Sequence, residues 1–300
     1  MELVRKLIPH LCYRGLFDKL GDKEYLSLYY WSVFGKKLNW DNPVTFSEKL
    51  QWLKLYDRRD EYTSMVDKYE VKKYVADKIG SEYIIPTLGV WNSFDEINFD
   101  ILPDQFVLKC THDSGGLVIC KDKSQLNKKL AKRKLEKSLK KNYYLTGREW
   151  PYKNVKPRII AEQYMEDSHD CELRDYKFFA FDGDVKAVFI ATDRENEVEE
   201  TKFDFFDMDF NHLPFTNGHP NAQEMPHKPV EFEKMKELAA VLSRGIPHVR
   251  VDFYEVDGRI YFGELTFSHW SGLKPFNPPE WDNIFGSWIT LPKSKTKNCK

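Results

Sequence analysis

Net charge, long apolar runs and paired cysteines are all scarce in this sequence, and each scarcity removes a class of function. The 300 residues carry 46 basic and 47 acidic side chains, a formal charge of −1. A general nucleic-acid binder shows a basic excess, so nucleic acid is not an expected partner. No uninterrupted apolar stretch approaches the roughly 18 residues that mark a membrane-spanning helix. The five cysteines, Cys12, Cys110, Cys120, Cys171 and Cys299, are odd in number and widely spaced, with no Cys-x-x-Cys. That argues against a disulfide framework or a zinc site and fits a reducing compartment. Residues 1–20 lack the apolar core and small-residue cleavage site of a signal peptide, so a cytoplasmic protein is expected. There is no Gly-Lys-Ser/Thr, hence no P-loop, and no repeat or low-complexity linker.

What is present is core material and local charge. At 41% hydrophobic and 15% aromatic residues, the chain can build a globular core, and its length suggests about two domains. Residues 128–141, KKLAKRKLEKSLKK, are strongly basic. Leu130, Leu135 and Leu139 recur there on a roughly helical period, predicting an amphipathic helix with a solvated face, or a surface for a polyanion. Residues 195–200 are acidic, and residues 293–300 form a basic polar tail. Residues 1–20 are amphipathic, suited to packing on the protein's own body or lying on a membrane surface.

Up to about residue 80 the pattern is helical. Thr45-Phe-Ser-Glu48 is a capping box, and one helix is expected over residues 62–79, closed by Gly80. From residue 83 short β-like runs appear, beginning with Tyr83-Ile-Ile-Pro86 and Gly89-Val-Trp91. Two Asp-Gly turns, at Asp182-Gly183 and Asp257-Gly258, each join strand-like runs into a hairpin. Antiparallel hairpins mixed with helices make the expected class α+β.

Four stretches carry candidate chemistry. In residues 105–121 two apolar runs flank Ser114-Gly115-Gly116, with Lys109 ending the first run. Glycines let backbone N–H groups approach a ligand closely, and a lysine beside such a nest supplies a point charge, which suits a polyphosphate. An ordinary hairpin with a surface lysine would look the same. Glu162-Gln163-Tyr164-Met165 follow the buried run Ile159-Ile-Ala161, where a carboxylate can accept from an exocyclic amine and the backbone beyond it can read a ring edge. Lys177 alternates with Tyr176 and Phe178, so it projects from the opposite face. In the last hairpin, alternation puts Arg250 and Asp252 on one face with Glu264 and Thr266 on the matching face of the facing strand. Two carboxylates side by side need a cation between them. Mg²⁺ with hard oxygen ligands would serve, and so would a plain salt bridge with Arg250.

The ordered segments VDKYEVKKYV, VLKCTHDSGG, REWPYKN, RIIAEQYM, DYKFF and VRVDFY…YFGELTF resemble the ATP-grasp superfamily, specifically the TupA-like branch named for teichuronopeptide biosynthesis. The resemblance spans about residues 29–288. It implies an ATP-grasp fold in which two α+β subdomains clasp ATP, here behind a helical N-terminal region. The expected division is residues 1–80, a small subdomain over 81–165 and a large one over 166–300. It implies that Lys68, Lys109 and Lys177 contact phosphates, that Ser114, Gly115 and Gly116 cover them, and that Glu162, Gln163, Tyr164 and Met165 read adenine. Asp252, Glu264 and Thr266 would hold Mg²⁺, Arg250 would stabilise the transferring phosphoryl group, and His269, Ser271 and Gly272 are candidates for the acceptor carboxylate. The sequence departs from the amino-acid ligases of the superfamily at Thr266, where they commonly have asparagine, and it places Asp113 inside the phosphate loop. The implied reaction is ATP-dependent amide formation through an acyl phosphate. It would join an amino acid to a hexuronic acid, as a sugar nucleotide or a glycan unit, in surface-polysaccharide synthesis. A glycosyltransferase and an ATP-grasp sugar kinase are the alternatives.

Overall fold

A computed structural model describes residues 2–168, 173–193 and 200–293. Cys171, Cys299, most of the acidic run at 195–200 and nearly all of the basic tail lie outside the described residues. The chain begins with α1 (Glu2–Tyr13), α2 (Asp22–Phe34) and α3 (Phe46–Tyr56). The capping box at α3 forms as read: the Thr45 side chain accepts from the Glu48 N–H while the Glu48 carboxylate reaches back to the Thr45 N–H. Ile8 and Cys12 of α1 pack on Tyr25 and Leu26 of α2, leaving Val4, Leu7 and Leu16 exposed. No helix among the described residues is long and apolar enough to cross a membrane.

The helix expected over residues 62–79 is instead two, α4 (Glu61–Val66) and α5 (Val71–Ile79). Asp67 is the cause. Its carboxylate accepts from the N–H groups of Tyr69 and Glu70 and pairs with Arg158 at 2.8 Å. An aspartate that captures backbone N–H groups two and three residues on competes with helix continuation. The break presents Lys68, whose own N–H bonds to the Thr111 carbonyl. Tyr83-Ile-Ile-Pro86 is likewise not a strand. It lies in and after a 3₁₀ turn at Ser81–Tyr83.

Next come β1 (Thr87–Trp91), β2 (Phe106–Cys110), β3 (Leu117–Cys120), α6 (Lys128–Leu139), α7 (Tyr143–Gly147) and β4 (Ile159–Gln163). The four strands form one antiparallel sheet in the order β1-β4-β2-β3. Phe106, Leu108 and Cys110 face α6 in a core with Leu135 and Ala131. Leu130 was expected on that buried face but is 60% exposed; Ala131, Leu135 and Ser138 define the buried stripe instead. The other face of β2 carries Val107 and Lys109, with Glu162 of β4 directly opposite Val107.

The second sheet is built from β5 (Asp175–Phe181), β6 (Asp184–Thr192), β7 (Lys202–Phe206), and, after β8 (Thr216–Asn217) and α8 (Phe232–Ser243), from β9 (Val249–Val256) and β10 (Arg259–Thr266). Its order is β10-β9-β5-β6-β7. Both Asp-Gly turns adopt the left-handed pair of conformations that matches hairpin twist: φ is 51° and 88° at Asp182-Gly183, and 49° and 71° at Asp257-Gly258. One face packs Phe178, Val251 and Phe253 against α8, α4 and α5. The other packs Phe179, Phe189 and Phe205 against α3 and, beyond β11 (Phe276–Asn277), α9 (Glu280–Trp288). The sheet is therefore buried on both sides, and Lys177, Arg250 and Asp252 gather at one end of the α3 face. That end meets the lysine-bearing face of the first sheet.

Candidate active site

Two chambers open between the sheets. The first, a cavity of about 230 Å³, lies under β2 and β4 and is bordered by Lys72, Lys109, Glu162, Lys177 and Glu264. The second, about 470 Å³, is bordered by Tyr143, Glu149, Tyr152, Arg250, Ser271 and Trp270, among others. Lys68, Asp113, Ser114, Lys177 and Glu264 border both.

In the first chamber Glu162 is buried and gripped by two cations, Lys72 at 2.5 Å and Lys109 at 2.7 Å. Burial works to raise its pKa, but Lys109 and Lys72 outweigh that and hold the carboxyl below its ordinary value. Lys72 was not singled out by the sequence reading; it lies one turn past Lys68, in the same lysine-rich VDKYEVKKYV segment. It also donates to the Ile85 carbonyl at 2.7 Å and the Thr87 hydroxyl at 2.8 Å, tying α5 to the edge of the first sheet. The side chains of Gln163 and Tyr164 point elsewhere, into a shallow groove with Leu88 and Pro103. Met165 borders neither chamber.

The loop between β2 and β3 is organised by Asp113. Its carboxylate is buried, accepting from the Gly116 N–H at 3.0 Å and from the Ser138 hydroxyl. The charge that looked out of place beside phosphates is thus turned into the loop's own interior. The Asp113 carbonyl accepts from Lys68 Nζ at 2.5 Å. The two glycines differ. A Cβ on Gly116 would stand 2.5 Å from Cys110 Sγ and 2.7 Å from Ser138 Oγ, whereas a Cβ on Gly115 meets nothing closer than 3.8 Å.

The junction is the polar end of the second sheet. Register places Lys177 opposite Asp252, Asp252 opposite Glu264 and Arg250 opposite Thr266, with a bulge between Phe262 and Glu264. Arg250 donates to both oxygens of Asp252 at 2.7 and 2.6 Å, to Glu264 at 3.1 Å and to the Thr266 hydroxyl at 3.0 Å. Lys177 reaches Asp252 at 2.6 Å and Asp175 at 3.2 Å. Burial opposes the charge on Arg250, yet Asp252 and Glu264 outweigh it and raise its pKa. For Glu264, burial is outweighed by Lys68, Lys177 and Arg250, which hold the carboxyl at about 2. Asp252 is fully buried with both oxygens engaged, while the Glu264 side chain is 39% exposed.

His269 lies behind this cluster. Its ring nitrogens are engaged by Arg250 at 2.8 Å and Asn217 at 3.1 Å. Burial, then Arg250, pull its pKa well below the ordinary value, so the ring is neutral and orients the guanidinium. Ser271 borders the second chamber. Gly272 faces α3, and a Cβ there would stand 2.7 Å from Gln51 Nε2 and 2.9 Å from Leu50 Cβ. Trp270 and Ser271 hold left-handed conformations, φ 48° and 57°. Gln51 donates to the carbonyls of Ser271 and Gly272 at 3.1 and 3.0 Å, and Lys54 donates to the Ser271 carbonyl at 2.6 Å. These α3 side chains carried no signal in the sequence beyond their polarity, and Glu149 lies in the segment REWPYKN, where the resemblance assigned it no role.

A family model described as TupA-like ATPgrasp matches residues 48–290. No curated protein matches the chain. Among solved structures, D-alanine–D-alanine ligase from Bacillus anthracis is 16% identical, with a TM-score of 0.40, covering 68% of this chain and 57% of its own length. The corresponding ligase from Helicobacter pylori is also 16% identical, at a TM-score of 0.39 over 76% of this chain and 61% of its own. The ATP-grasp ligase PsnB, complexed with a phosphomimetic variant of its minimal precursor, Mg and ADP, is 10% identical at a TM-score of 0.44, covering 81% and 66%. This chain spans less than two thirds of the length of each.

Proposed function

The chain belongs to the TupA-like ATP-grasp family and has that family's α+β fold, and from this premise we propose that it is an ATP-dependent carboxylate–amine ligase. Its substrates on this reading are an amino acid and a hexuronic acid, the latter carried on a sugar nucleotide or a surface glycan, and its place is the cytoplasm, where ATP is available. The first sheet with its loop would form the small subdomain and the second sheet the large one. The observation that carries the reading is the pair of chambers meeting at Lys68, Lys177 and Glu264, beside Arg250. A nucleotide chamber and an acceptor chamber that share a cationic border place a transferable phosphoryl group where the second substrate can reach it.

A carboxylate resists amine attack because its leaving group would be oxide; phosphorylation replaces that with phosphate. The protein's part is positioning and charge neutralisation. Lys68, Lys109 and Lys177 oppose phosphate charge, and Arg250, fixed by Asp252, Thr266 and His269, faces the transferring group with its geometry already set. Glu162, ionised between Lys72 and Lys109, accepts from the adenine amine. No group of three or more metal-binding side chains exists among the described residues. Mg²⁺ bound through one or two carboxylates plus substrate phosphates needs none, so Glu264, with Thr266 and Asp252 behind it, fits. Such an ion, when bound, supplies charge neutralisation at the phosphate oxygens.

The test is ADP release from ATP with a panel of hexuronic acids and their nucleotide sugars, with hydroxylamine as trap. Uronate-dependent ADP with a hydroxamate is the expected result. ADP with a phosphorylated sugar and no hydroxamate would replace the ligase by a kinase. Sugar transfer without ATP consumption would replace it by a glycosyltransferase.

A further inference from the structure

Three carboxylates border the second chamber, and two are already committed: Asp113 to its own loop, Glu264 to Arg250 and Thr266. The third, Glu149, follows α7 and is 7% exposed. Among the described residues no cation makes an ion pair with it. Lys54 of α3 is the nearest candidate by charge, but its three N–H donors are taken by Gln51 Oε1 at 3.1 Å, the Ser271 carbonyl at 2.6 Å and Ser271 Oγ at 2.7 Å. Because Ser271 Oγ accepts from Lys54, its own hydrogen is free to turn toward Glu149, which stands beside it across Gly147. Both groups press on Gly147: a Cβ there would stand 2.3 Å from Ser271 Oγ and 3.1 Å from Glu149 Oε1. A buried carboxylate with no ion-pair partner among the described residues, a serine hydroxyl beside it and a chamber in front is a built acceptor for a donor that comes from outside.

We propose that Glu149 receives the amine substrate, binding it as an ammonium ion and taking the proton that must leave before its nitrogen can attack. This rests on the ligase reading above. The step balances as follows. R–NH₃⁺ gives one proton to the Glu149 carboxylate, and the freed lone pair forms the C–N bond at the acyl carbon of the acyl phosphate. On collapse the C–O bond to phosphate breaks, and the second nitrogen proton leaves with phosphate. The groups facing Glu149 are Lys54 from α3, Arg250 from β9, Glu264 from β10, and Tyr143 and Tyr152 from the segment around it. Burial raises the Glu149 carboxyl above its ordinary value, against Lys54, Ser271 and Arg250, which improves it as a proton acceptor.

Hydroxylamine provides the test because it is largely unprotonated at neutral pH, whereas an amino acid's amine is protonated. Wild-type protein and Glu149→Gln are compared for hydroxamate formation and for amide formation with an amino-acid mixture, each with the active uronate. The expected result is a loss of about 100-fold or more in amide formation, with hydroxamate formation within threefold of wild type. Equal loss of both products, or loss of neither, would overturn the proposal. Glu149→Asp, which keeps the charge beside Lys54, covers the case in which the glutamine variant fails to fold. It should lower amide formation about tenfold with hydroxamate unchanged, and a parallel fall in both would count against Glu149. Failure of the ligase reading is separate: wild-type protein would then give no hydroxamate with any carboxylate.

Discussion

Lys72→Met tests whether the first chamber is held together by the clasp on Glu162. The substitution keeps the aliphatic stem and removes the ammonium, leaving Lys109 as the remaining cation on a buried carboxylate. The Lys72 and Glu162 side chains are 13% and 7% exposed, so solvent does little to replace the lost contact. Removing one partner of a buried pair outright costs about 3–5 kcal/mol. Because Lys109 stays at 2.7 Å, the lower end of that range applies, about 3 kcal/mol, with the contacts to the Ile85 carbonyl and the Thr87 hydroxyl lost along with the ion pair. For a chain of this size that corresponds to a fall in Tm of roughly 5–10 °C. The pH dependence gives a second readout. Glu162 has a folded-state pKa below its unfolded value, so its contribution is present above the unfolded pKa and is lost as pH falls through the folded one. Without Lys72 the depression shrinks, and the acid limb of the Tm-against-pH curve should flatten. Thermal unfolding followed by circular dichroism from pH 7 to pH 3 measures both. A variant with wild-type Tm and an unchanged acid limb would refute the reasoning.

Four further substitutions separate close alternatives. Gly116→Ala should displace the loop and lower Tm by several degrees, because its Cβ would meet Cys110 and Ser138, whereas Gly115→Ala should leave Tm within a degree; parallel thermal melts decide. Thr45→Ala removes the capping-box acceptor of α3 and should lower stability by about 1 kcal/mol in urea titration. His248 is buried against Phe181, bonds to the Ala180 carbonyl at 3.1 Å and is pushed down to about 3, first by burial. As pH falls from 6.5 towards 3 the unfolded chain therefore takes up a proton that the folded chain refuses. Stability drops by about 1.4 kcal/mol per pH unit in that window from this group. His248→Asn should make the slope of stability against pH shallower there, measured by urea titration at pH 6 and pH 4.

Alternation made the second sheet legible. The Asp-Gly turns marked the hairpins, and period-two patterning put Arg250, Asp252, Glu264 and Thr266 on one face, which is where register holds them; that Lys177 joins them, opposite Asp252, needed the pairing of β5 with β9. The loop between β2 and β3 was legible as a hairpin with a lysine, because apolar runs around two glycines are a local pattern. The break at Asp67 was not, since a helical period continues through it and only the capture of two N–H groups by one carboxylate ends the helix. Lys72 was hidden for a similar reason: a lysine on the polar side of a helix looks solvated until a second sheet brings Glu162 to it.

The second chamber shows where such reading stops. Gln51 and Lys54 occupy positions that an amphipathic pattern assigns to water, yet they are 0% and 3% exposed. Their burial makes sense only with the turn they hold. Trp270 and Ser271 are non-glycine residues in left-handed conformations, each costing roughly 1–2 kcal/mol, and nothing local in Ser-His-Trp-Ser-Gly announces it. Hydrogen bonds from Gln51 and Lys54 to the carbonyls of that turn, made inside the protein where an unpaired group would be expensive, offset the strain. The same lysine also bonds Ser271 Oγ and so fixes the serine that stands beside Glu149 across Gly147. Helix α3, which sequence pattern presents as packing material, thereby sets the shape and the polarity of the second chamber. Its two polar residues lie more than 200 positions from the turn they fix, and that separation is why no motif contains them.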